Sequence, residues 1–265
     1  MAAIGPSTPA AMPDDPPPVQ EWAHMTWEEV RELDASRTVA ILPVGAVEAH
    51  GPHLPLGTDG IIAGAMARAG ARELEAAGWS AVVLPPIWYT AAPFARDFPG
   101  TLGVDGELVT RQILTVSAVL GTQGFAALAV ANAHLDPAHR SALRSAVERA
   151  GRAMPVVAPD LARGRVARRL TEEFRTGACH AGRFEGSIVL AETPALVRTG
   201  IARALPPNPV SLSEAIADGR ESFLEAGGAR AYFGWPADAS AEEGRETVAE
   251  LGRILAEAVL AEVGP

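Results

Sequence analysis

The sequence predicts an α/β protein of three layers, in which a mostly parallel central sheet lies between two layers of helices. Four short apolar segments, at residues 38–44, 81–84, 125–130 and 155–159, are typical of buried strands. Longer segments that are rich in Ala, or that carry apolar residues at helical spacing, separate them. Strands that are apolar on both faces and alternate with helices indicate a parallel sheet that is covered on both sides.

The predicted helices begin at residues that favour helix starts. Asp59 fits the N-cap of a helix over 61–77, and Thr26 with Glu29 has the pattern of a capping box. Pro137 suits the first turn of a helix over 137–150. Further helices are predicted over 106–120, 161–175, 211–226 and 240–263.

Length and composition indicate one globular domain. The chain has 265 residues, of which 48% are hydrophobic, so we expect a single domain over 21–265 behind a disordered or loosely attached tail at 1–20. The formal net charge of -10 argues against a nucleic-acid partner. One cysteine excludes an intramolecular disulfide, and no apolar run is long enough to span a membrane. These features predict a cytoplasmic protein without a membrane partner.

Polar side chains follow two of the predicted strands. The loop after the first strand carries Glu48, His50 and Asp59, and the third strand is followed by His134 and Asp136. In a parallel sheet the carboxyl ends of the strands share one edge, and ligands collect there. Carboxylates and imidazoles are ligands that divalent transition metals accept. The sequence therefore predicts a metal-assisted hydrolase site at this edge.

Four motifs in order along the chain carry a resemblance to a known family. They are PVGAVEAHGPHLPLGTD at 43–59, FPGT at 98–101, NAH at 132–134 and HAGRFEGS at 180–187. Together they closely resemble the signature of the creatininase family of metal-dependent amidohydrolases, over about residues 38–200. The resemblance implies a creatininase-like α/β fold.

The resemblance also implies a centre of two divalent ions, which would be Zn, Mn or Fe. The positions that match the family's ligands are Glu48, His50, Asp59 and His134. Asp59 would be the carboxylate that both ions share, and the fifth ligand would be either Asp136 or Glu185. His180 matches a histidine expected to transfer protons, a role for which Asp136 and Glu185 are also candidates. A hydroxide held between the two ions would attack an amide carbon.

Three departures from the family pattern bear on the substrate. Ala46 and Ala49 replace a serine and a glutamine of the family's loop. Phe94 stands where many relatives carry a Glu-His pair, and Leu135 with Asp136 replaces a glycine-rich turn. We therefore expect cleavage of a non-peptide C–N bond in a small, possibly cyclic amide other than creatinine.

Aromatic and cationic residues near the motifs are candidates for binding this small-molecule substrate. They are Trp88, Tyr89, Phe94, Arg96 and Arg183. Cys179 precedes His180, and we interpret it as a small buried thiol rather than a nucleophile. By analogy with relatives of the family, the protein would form a homo-oligomer, in the form of a hexamer.

Other functions are compatible with the same residues. One is a metallopeptidase of a peptide-derived cofactor pathway, although the replaced Glu-His pair counts against it. Another is hydrolysis of a C–C bond in a dehydro-sugar or inositol derivative, because an activated hydroxide also attacks ketones. A non-catalytic metal-binding protein is the alternative outside the enzymes, and the intact set of ligand-type residues counts against it.

Overall fold

The computed structural model describes residues 19–151 and 154–264, and at its centre is a five-stranded sheet. The strands are β1 (Gln20–Glu21), β2 (Thr38–Val44), β3 (Ser80–Val83), β4 (Ala127–Asn132) and β5 (Val156–Val157). Their order across the sheet is β1-β3-β2-β4-β5, and every neighbouring pair is parallel. The predicted parallel sheet is confirmed, with strand ends displaced by a few residues.

Helices cover both faces of the sheet. They are α1 (Trp27–Arg31), α2 (Thr58–Ala76), α3 (Gly106–Thr122), α4 (Pro137–Arg149), α5 (Gly164–Ala167), α6 (Glu172–Thr176), α7 (Arg183–Glu192), α8 (Thr199–Ala204), α9 (Leu212–Ala217) and α10 (Ala241–Val263). Helices α2, α7 and α10 pack together on one face, and α3 and α4 pack on the other. The predicted three-layer α/β/α architecture is therefore confirmed. Across the described ranges, none of the helices combines the length and the apolar character that a membrane span requires.

The central strand β2 is buried on both faces, as its apolar sequence predicts. Val39 and Ile41 belong to the core between the sheet and helices α2 and α10. Ala40 and Leu42 point the other way, into the core that α3 and α4 cover. This alternation follows from the pleat of a strand, in which successive side chains leave opposite faces.

The register of the two central strands sets the position of the site. Val44, the last residue of β2, lies opposite Asn132, the last residue of β4. The loop that follows β2 and the turn that follows β4 therefore begin side by side at the carboxyl edge of the sheet. This is the edge at which the two polar segments were expected to meet.

Two predicted helices are shorter than their sequence patterns suggest. The segment 161–175 contains α5 and α6 instead of one helix, and Thr171 caps the second of them by accepting from the Phe174 N–H. The segment 211–226 is helical only over α9, and it turns at Gly219, where φ is +84°. A positive φ of this kind ends a helix and is accessible to glycine at little cost.

Two helix and tail boundaries also differ from the prediction. Asp59 lies inside the first turn of α2, and Gly57 occupies the N-cap instead. Gln20, which was assigned to the tail, pairs with Val82 in the edge strand β1. The rest of the predicted tail, residues 1–18, lies outside the described residues.

The contact between α2 and α10 depends on a glycine, which leads to a first prediction. A Cβ added at Gly252 would lie 2.5 Å from the Ala69 Cβ and 2.7 Å from the Ala69 carbonyl carbon. We expect Gly252→Ala to lower the free energy of unfolding by about 1–2 kcal/mol, because the two helices must move apart. The matched control is Gly64→Ala, where the nearest atom is the flexible end of Arg68. Chemical denaturation should show this control to be unchanged or more stable by up to about 1 kcal/mol.

Candidate metal centre and active site

The loop after β2 carries the first ligand-type side chains. The Ala49 N–H donates to the Thr101 hydroxyl over 3.2 Å, so the FPGT motif braces this loop. The loop places Glu48 and His50 beside Asp59, which projects from the first turn of α2. The hydrogen bond between Ala49 and Thr101 thus connects the motif at 43–59 with the FPGT motif at 98–101.

Five side chains converge in one buried cluster, with Asp59 at its centre. Asp59 Oδ1 lies 3.2 Å from His50 Nε2, and its Oδ2 lies 3.0 Å from His134 Nδ1. Glu48 Oε1 lies 3.3 Å from His134 Nδ1, and Glu185 Oε2 lies 3.5 Å from His50 Nε2. Three ligand groups result. Two share Asp59, one with Glu48 and His134 and the other with His50 and Glu185, and the third combines Glu48, His50 and His180.

The histidine rings are oriented by main-chain carbonyls. The bonded pairs are His50 Nδ1 with Glu48 O (3.1 Å), His134 Nε2 with Ala91 O (2.9 Å) and His180 Nε2 with Ala49 O (2.9 Å). A carbonyl oxygen only accepts, so each of these ring nitrogens carries a proton. In the neutral imidazole, which is the form that binds metals, the other nitrogen of each ring would present its lone pair to the cluster. Histidines that bind metals are oriented in the same way.

The electrostatics of the cluster are set by three buried carboxylates that lie beside the histidines. Burial alone would lower the pKa of His50, but the carboxylates of Asp59 and Glu185 raise it to about 10. Burial also opposes protonation of His134, yet Glu48 and Asp59 raise its pKa well above the usual range. Burial raises the pKa of Glu48, and that of Glu185 to about 8. A cation in this space would relieve the repulsion among the three carboxylates.

The residues present fit two divalent ions. Glu48 Oε2 and His50 Nε2 are buried and have no hydrogen-bond partner in the described part of the chain. The ion pairs that Glu48, Asp59 and Glu185 make there are with histidines, and none is with Lys or Arg. Unpaired buried polar atoms are costly unless a ligand satisfies them. Two groups of imidazole nitrogen and carboxylate oxygen suit Zn, Mn or Fe.

The structure separates the two candidates for the fifth ligand. Glu185 belongs to one of the three ligand groups, whereas Asp136 belongs to none. Asp136 Oδ2 accepts from the Phe94 N–H over 3.0 Å, and its Oδ1 accepts from the Ala138 N–H over 2.8 Å at the start of α4. Its short side chain is therefore engaged in holding a helix and a loop, although it still lines the same cavity.

A cavity of about 240 Å³ opens onto the cluster. His180 lies in its wall, with Nδ1 3.9 Å from Glu48 Oε1, and its ring packs on Phe223 at a centroid distance of 4.2 Å. Burial, helped by nearby His50, lowers the pKa of His180 well below its usual range. Cys179 also lines the cavity, but burial raises the pKa of its thiol, so it is not a thiolate nucleophile at neutral pH.

Among the aromatic candidates for substrate binding, Phe94 lines the cavity and the other two do not. Trp88 packs over Gly60 of α2, where a Cβ would overlap the indole ring. Tyr89 follows it and is 56% exposed. Both residues lie outside the cavity, whereas Ala91 and Phe94, further along the same segment, reach the cluster and the cavity wall.

The two arginine candidates also lie outside the cavity. Arg96 donates to the Glu221 carbonyl over 2.7 Å, and Arg183 pairs with Glu243 over 3.2 Å. Each guanidinium is thus engaged with a partner in the surrounding scaffold. The sequence placed both residues close to the motifs, but it could not show the direction in which their side chains leave the chain.

Glu173 is a site-supporting residue that the sequence did not reveal. Its buried carboxylate accepts from the N–H groups of Arg183 (2.8 Å), Phe184 (2.6 Å) and Trp235 (2.7 Å). The first two groups open α7, which carries Glu185, so Glu173 fixes the position of that ligand candidate. The favourable interaction of a carboxylate with a helix N-terminus is expected. The only sequence signal available was an acidic residue within the helix predicted over 161–175.

A strained residue also lies at the site. Ala181 has a φ of +50°, which non-glycine residues rarely adopt, and its N–H donates to Glu185 Oε2 over 2.6 Å. The same turn positions His180, whose carbonyl accepts from the Phe233 N–H. Strain of this kind persists where the surrounding structure holds it, and it concentrates at functional sites.

Comparison with known proteins agrees with this geometry. A family model described as Creatininase, creatinine amidohydrolase, matches residues 23–259. The chain belongs to the creatininase family. Within that family, it is 31% identical over 226 residues to the mycofactocin precursor peptide peptidase of Mycobacterium ulcerans, covering 83% of this chain and 84% of the relative.

The chain is also similar to a second relative in sequence and to a solved structure in fold. The chain is 32% identical over 111 residues to the 3-dehydro-scyllo-inosose hydrolase of Thermotoga maritima, covering 42% of this chain and 34% of that protein. A Bacteroides fragilis structure assigned as a creatinine amidohydrolase superposes with a TM-score of 0.73 at 22% identity, covering 93% of this chain and 97% of the other. The creatininase-like fold that the motifs implied is confirmed, and the chain is a creatininase-family hydrolase.

Proposed function

We propose that this protein is an amidohydrolase that uses two divalent cations to cleave a C–N bond in a small amide other than creatinine. The observation that carries the proposal is the position of Asp59 between His50 Nε2 and His134 Nδ1. One carboxylate that faces two ligand groups suits a pair of ions. The replaced Glu-His pair and the altered turn after β4 favour a non-peptide amide.

The two ions would be held by different residues of the cluster. Glu48, Asp59 and His134 would hold one ion, and His50, Asp59 and Glu185 would hold the other. When bound, such ions supply Lewis-acid polarisation of a carbonyl and activation of water. The apolar part of the cavity wall, which includes Phe94, excludes solvent water from the reacting group.

His180 would move the proton. Its Nε2 donates to the Ala49 carbonyl, so Nδ1 carries the lone pair and faces the cluster from the cavity wall. A neutral imidazole in this orientation can accept a proton at Nδ1 and deliver it to the leaving nitrogen. The stack on Phe223 keeps the ring plane fixed while it does so.

The proposal is tested by metal content and turnover together. The purified protein would be stripped of metal, reloaded with Zn, Mn or Fe, and assayed on cyclic amides, linear amides, short peptides and cyclic ketones. We expect two ions per chain and amide hydrolysis that is lost on chelation and restored on reloading. A protein that retains no divalent metal, or whose activity survives chelation, would contradict the proposal. Metal binding without turnover on the panel would favour the non-catalytic alternative.

The identity of the fifth ligand gives a second prediction. We expect Glu185→Gln to reduce the bound metal from two ions toward one, because an amide is a much weaker ligand than a carboxylate. Asp136→Asn is the matched control, since it lines the same cavity but makes contacts with main-chain N–H groups. It should keep both ions and change mainly KM, through the loop at Phe94. Elemental analysis of the two variants identifies the fifth ligand. Loss of metal in Asp136→Asn, with both ions kept in Glu185→Gln, would assign that ligand to Asp136.

Peptide cleavage is the second candidate function. The relative with the mycofactocin precursor peptide peptidase activity matches most of both chains, which is the observation that favours it. Short peptides on the assay panel separate the two candidates. Hydrolysis of a ketone on the same panel would point to C–C bond cleavage, the activity suggested by the Thermotoga maritima relative.

The assembly is a further proposal. We propose a homohexamer in the cytoplasm, from the resemblance to relatives that assemble in this way. Sedimentation of the metal-loaded protein tests the hexamer directly, and a monomer at micromolar concentration would contradict it.

A further inference from the structure

Three kinds of side chain line the cavity, and they differ in burial. Its carboxylates are buried: Glu48, Asp59, Asp136 and Glu185. Its apolar lining includes Phe94, Leu135, Phe174, Leu212, Ile216 and Phe223. The cationic lining residues are Arg140, which is partly buried, and Arg175, which is exposed. Arg175 therefore lies on the solvent side of a cavity whose carboxylates are buried.

The two arginines are not equivalent. Arg140 is engaged with Asp160, to which Nε and Nη2 donate over 3.2 Å and 2.7 Å. Arg175 is exposed and makes no ion pair or side-chain hydrogen bond with the residues that the structure describes. Its charge is thus available to a molecule in the cavity. An unpaired guanidinium favours a carboxylate, which it can bind through two hydrogen bonds.

The position of Arg175 relative to the catalytic groups is set by α6. This helix also carries Glu173, which anchors the start of α7, and Phe174, whose ring packs on Phe184 at a centroid distance of 4.8 Å. The backbone that carries Arg175 is therefore attached to the same scaffold as Glu185. A guanidinium on an anchored helix can select substrates, whereas one on a free loop would adapt to any of them.

We infer that Arg175 recognises a carboxylate at the far end of the substrate, so that the preferred substrates are apolar amides with an anionic terminus. N-acylated amino acids with an aliphatic or aromatic side chain belong to this class. The inference rests on the proposed function, because it takes the cluster as the place where the amide carbonyl binds. The apolar part of such a molecule would contact Phe94 and Phe223, and its carboxylate would extend past them to Arg175.

Binding of a matched pair of probes tests the inference. The probes are N-acetyl-L-leucine and N-acetyl-L-leucinamide, which differ in the terminal charge, titrated calorimetrically into the zinc-loaded protein. We expect the carboxylate to bind about tenfold more tightly than the amide, and the preference to weaken as salt is raised. Arg175→Ala should abolish the preference. Arg111→Ala, which removes an exposed arginine from α3 outside the cavity, should retain it.

Each outcome decides the inference separately from the proposed function. Equal binding of both probes, or binding of neither, would overturn it while leaving two-metal amide hydrolysis to its own assay. A preference that survives Arg175→Ala would also overturn it, because the carboxylate would then be bound at the metal cluster. Arg175→Lys adds a graded readout, since it keeps the charge but loses the paired hydrogen bonds, so part of the preference should remain.

Discussion

Replacing Asp59 by Asn should remove bound metal and lower kcat/KM by about a hundredfold or more. One Asp59 oxygen faces His50 and the other faces His134, so the carboxylate serves both ligand groups. An amide of nearly the same shape keeps one weak acceptor and loses the negative charge. Both ions should therefore bind more weakly, and elemental analysis should find less than one full ion per chain.

Asp97→Asn is the matched control for this change, because Asp97 is exposed and lies outside the cavity. It should keep both ions and wild-type activity. Retention of both ions in Asp59→Asn would show that the ligand groups do not share this carboxylate. Circular dichroism of the variant should remain that of a folded protein, since removing one of three mutually repelling buried carboxylates does not expose the core.

Replacing Glu173 by Ala should lower the free energy of unfolding by about 3–5 kcal/mol and also reduce metal content. The change removes the acceptor of three N–H groups: that of Phe184, which is buried, and those of Arg183 and Trp235, which are partly buried. Each such group costs about 1–3 kcal/mol when it is left unsatisfied. Because the first two groups open α7, the start of that helix should move and carry Glu185 away from His50.

The control for this change lies one residue away. Glu172 precedes Glu173 on α6 and is exposed, so Glu172→Ala should alter stability by no more than about 0.5 kcal/mol. Glu173→Gln keeps one acceptor oxygen and should fall between the two. Thermal and chemical denaturation with metal analysis measure both effects. If Glu173→Ala proved as stable as Glu172→Ala, the carboxylate would not anchor α7.

Much of the fold and four ligand candidates could be predicted from the sequence. β2 is apolar on both faces, and Glu48, His50 and Asp59 follow it within one loop, so strand pattern and chemistry indicated the same edge of the sheet. His134 could be predicted because it follows the neighbouring strand. In each case the signal lay in local spacing, which sequence reasoning reads directly.

The remaining features depend on contacts between distant segments. From the sequence, Asp136 and Glu185 are equally plausible ligands, and only the structure shows that the Phe94 N–H donates to Asp136. The carboxylate of Glu173 accepts hydrogen bonds from main-chain N–H groups. Because every non-proline residue carries such a group, the contact leaves no motif in the sequence. The sequence does not single out Arg175 either, because it predicts one helix over 161–175, whereas the structure begins a separate helix, α6, after Thr171.

The carbonyl groups that orient the histidines have a consequence for how this protein can change over evolutionary time. The acceptors of His50, His134 and His180 are main-chain oxygens of Glu48, Ala91 and Ala49. Where a metal-binding histidine is oriented by a carboxylate, one substitution can rotate it and change the ion it prefers. A main-chain oxygen is present whatever side chain occupies the position. Substitutions at Glu48, Ala49 or Ala91 therefore leave the acceptor of each histidine ring in place. Residues of the cavity wall can change without altering these three hydrogen bonds.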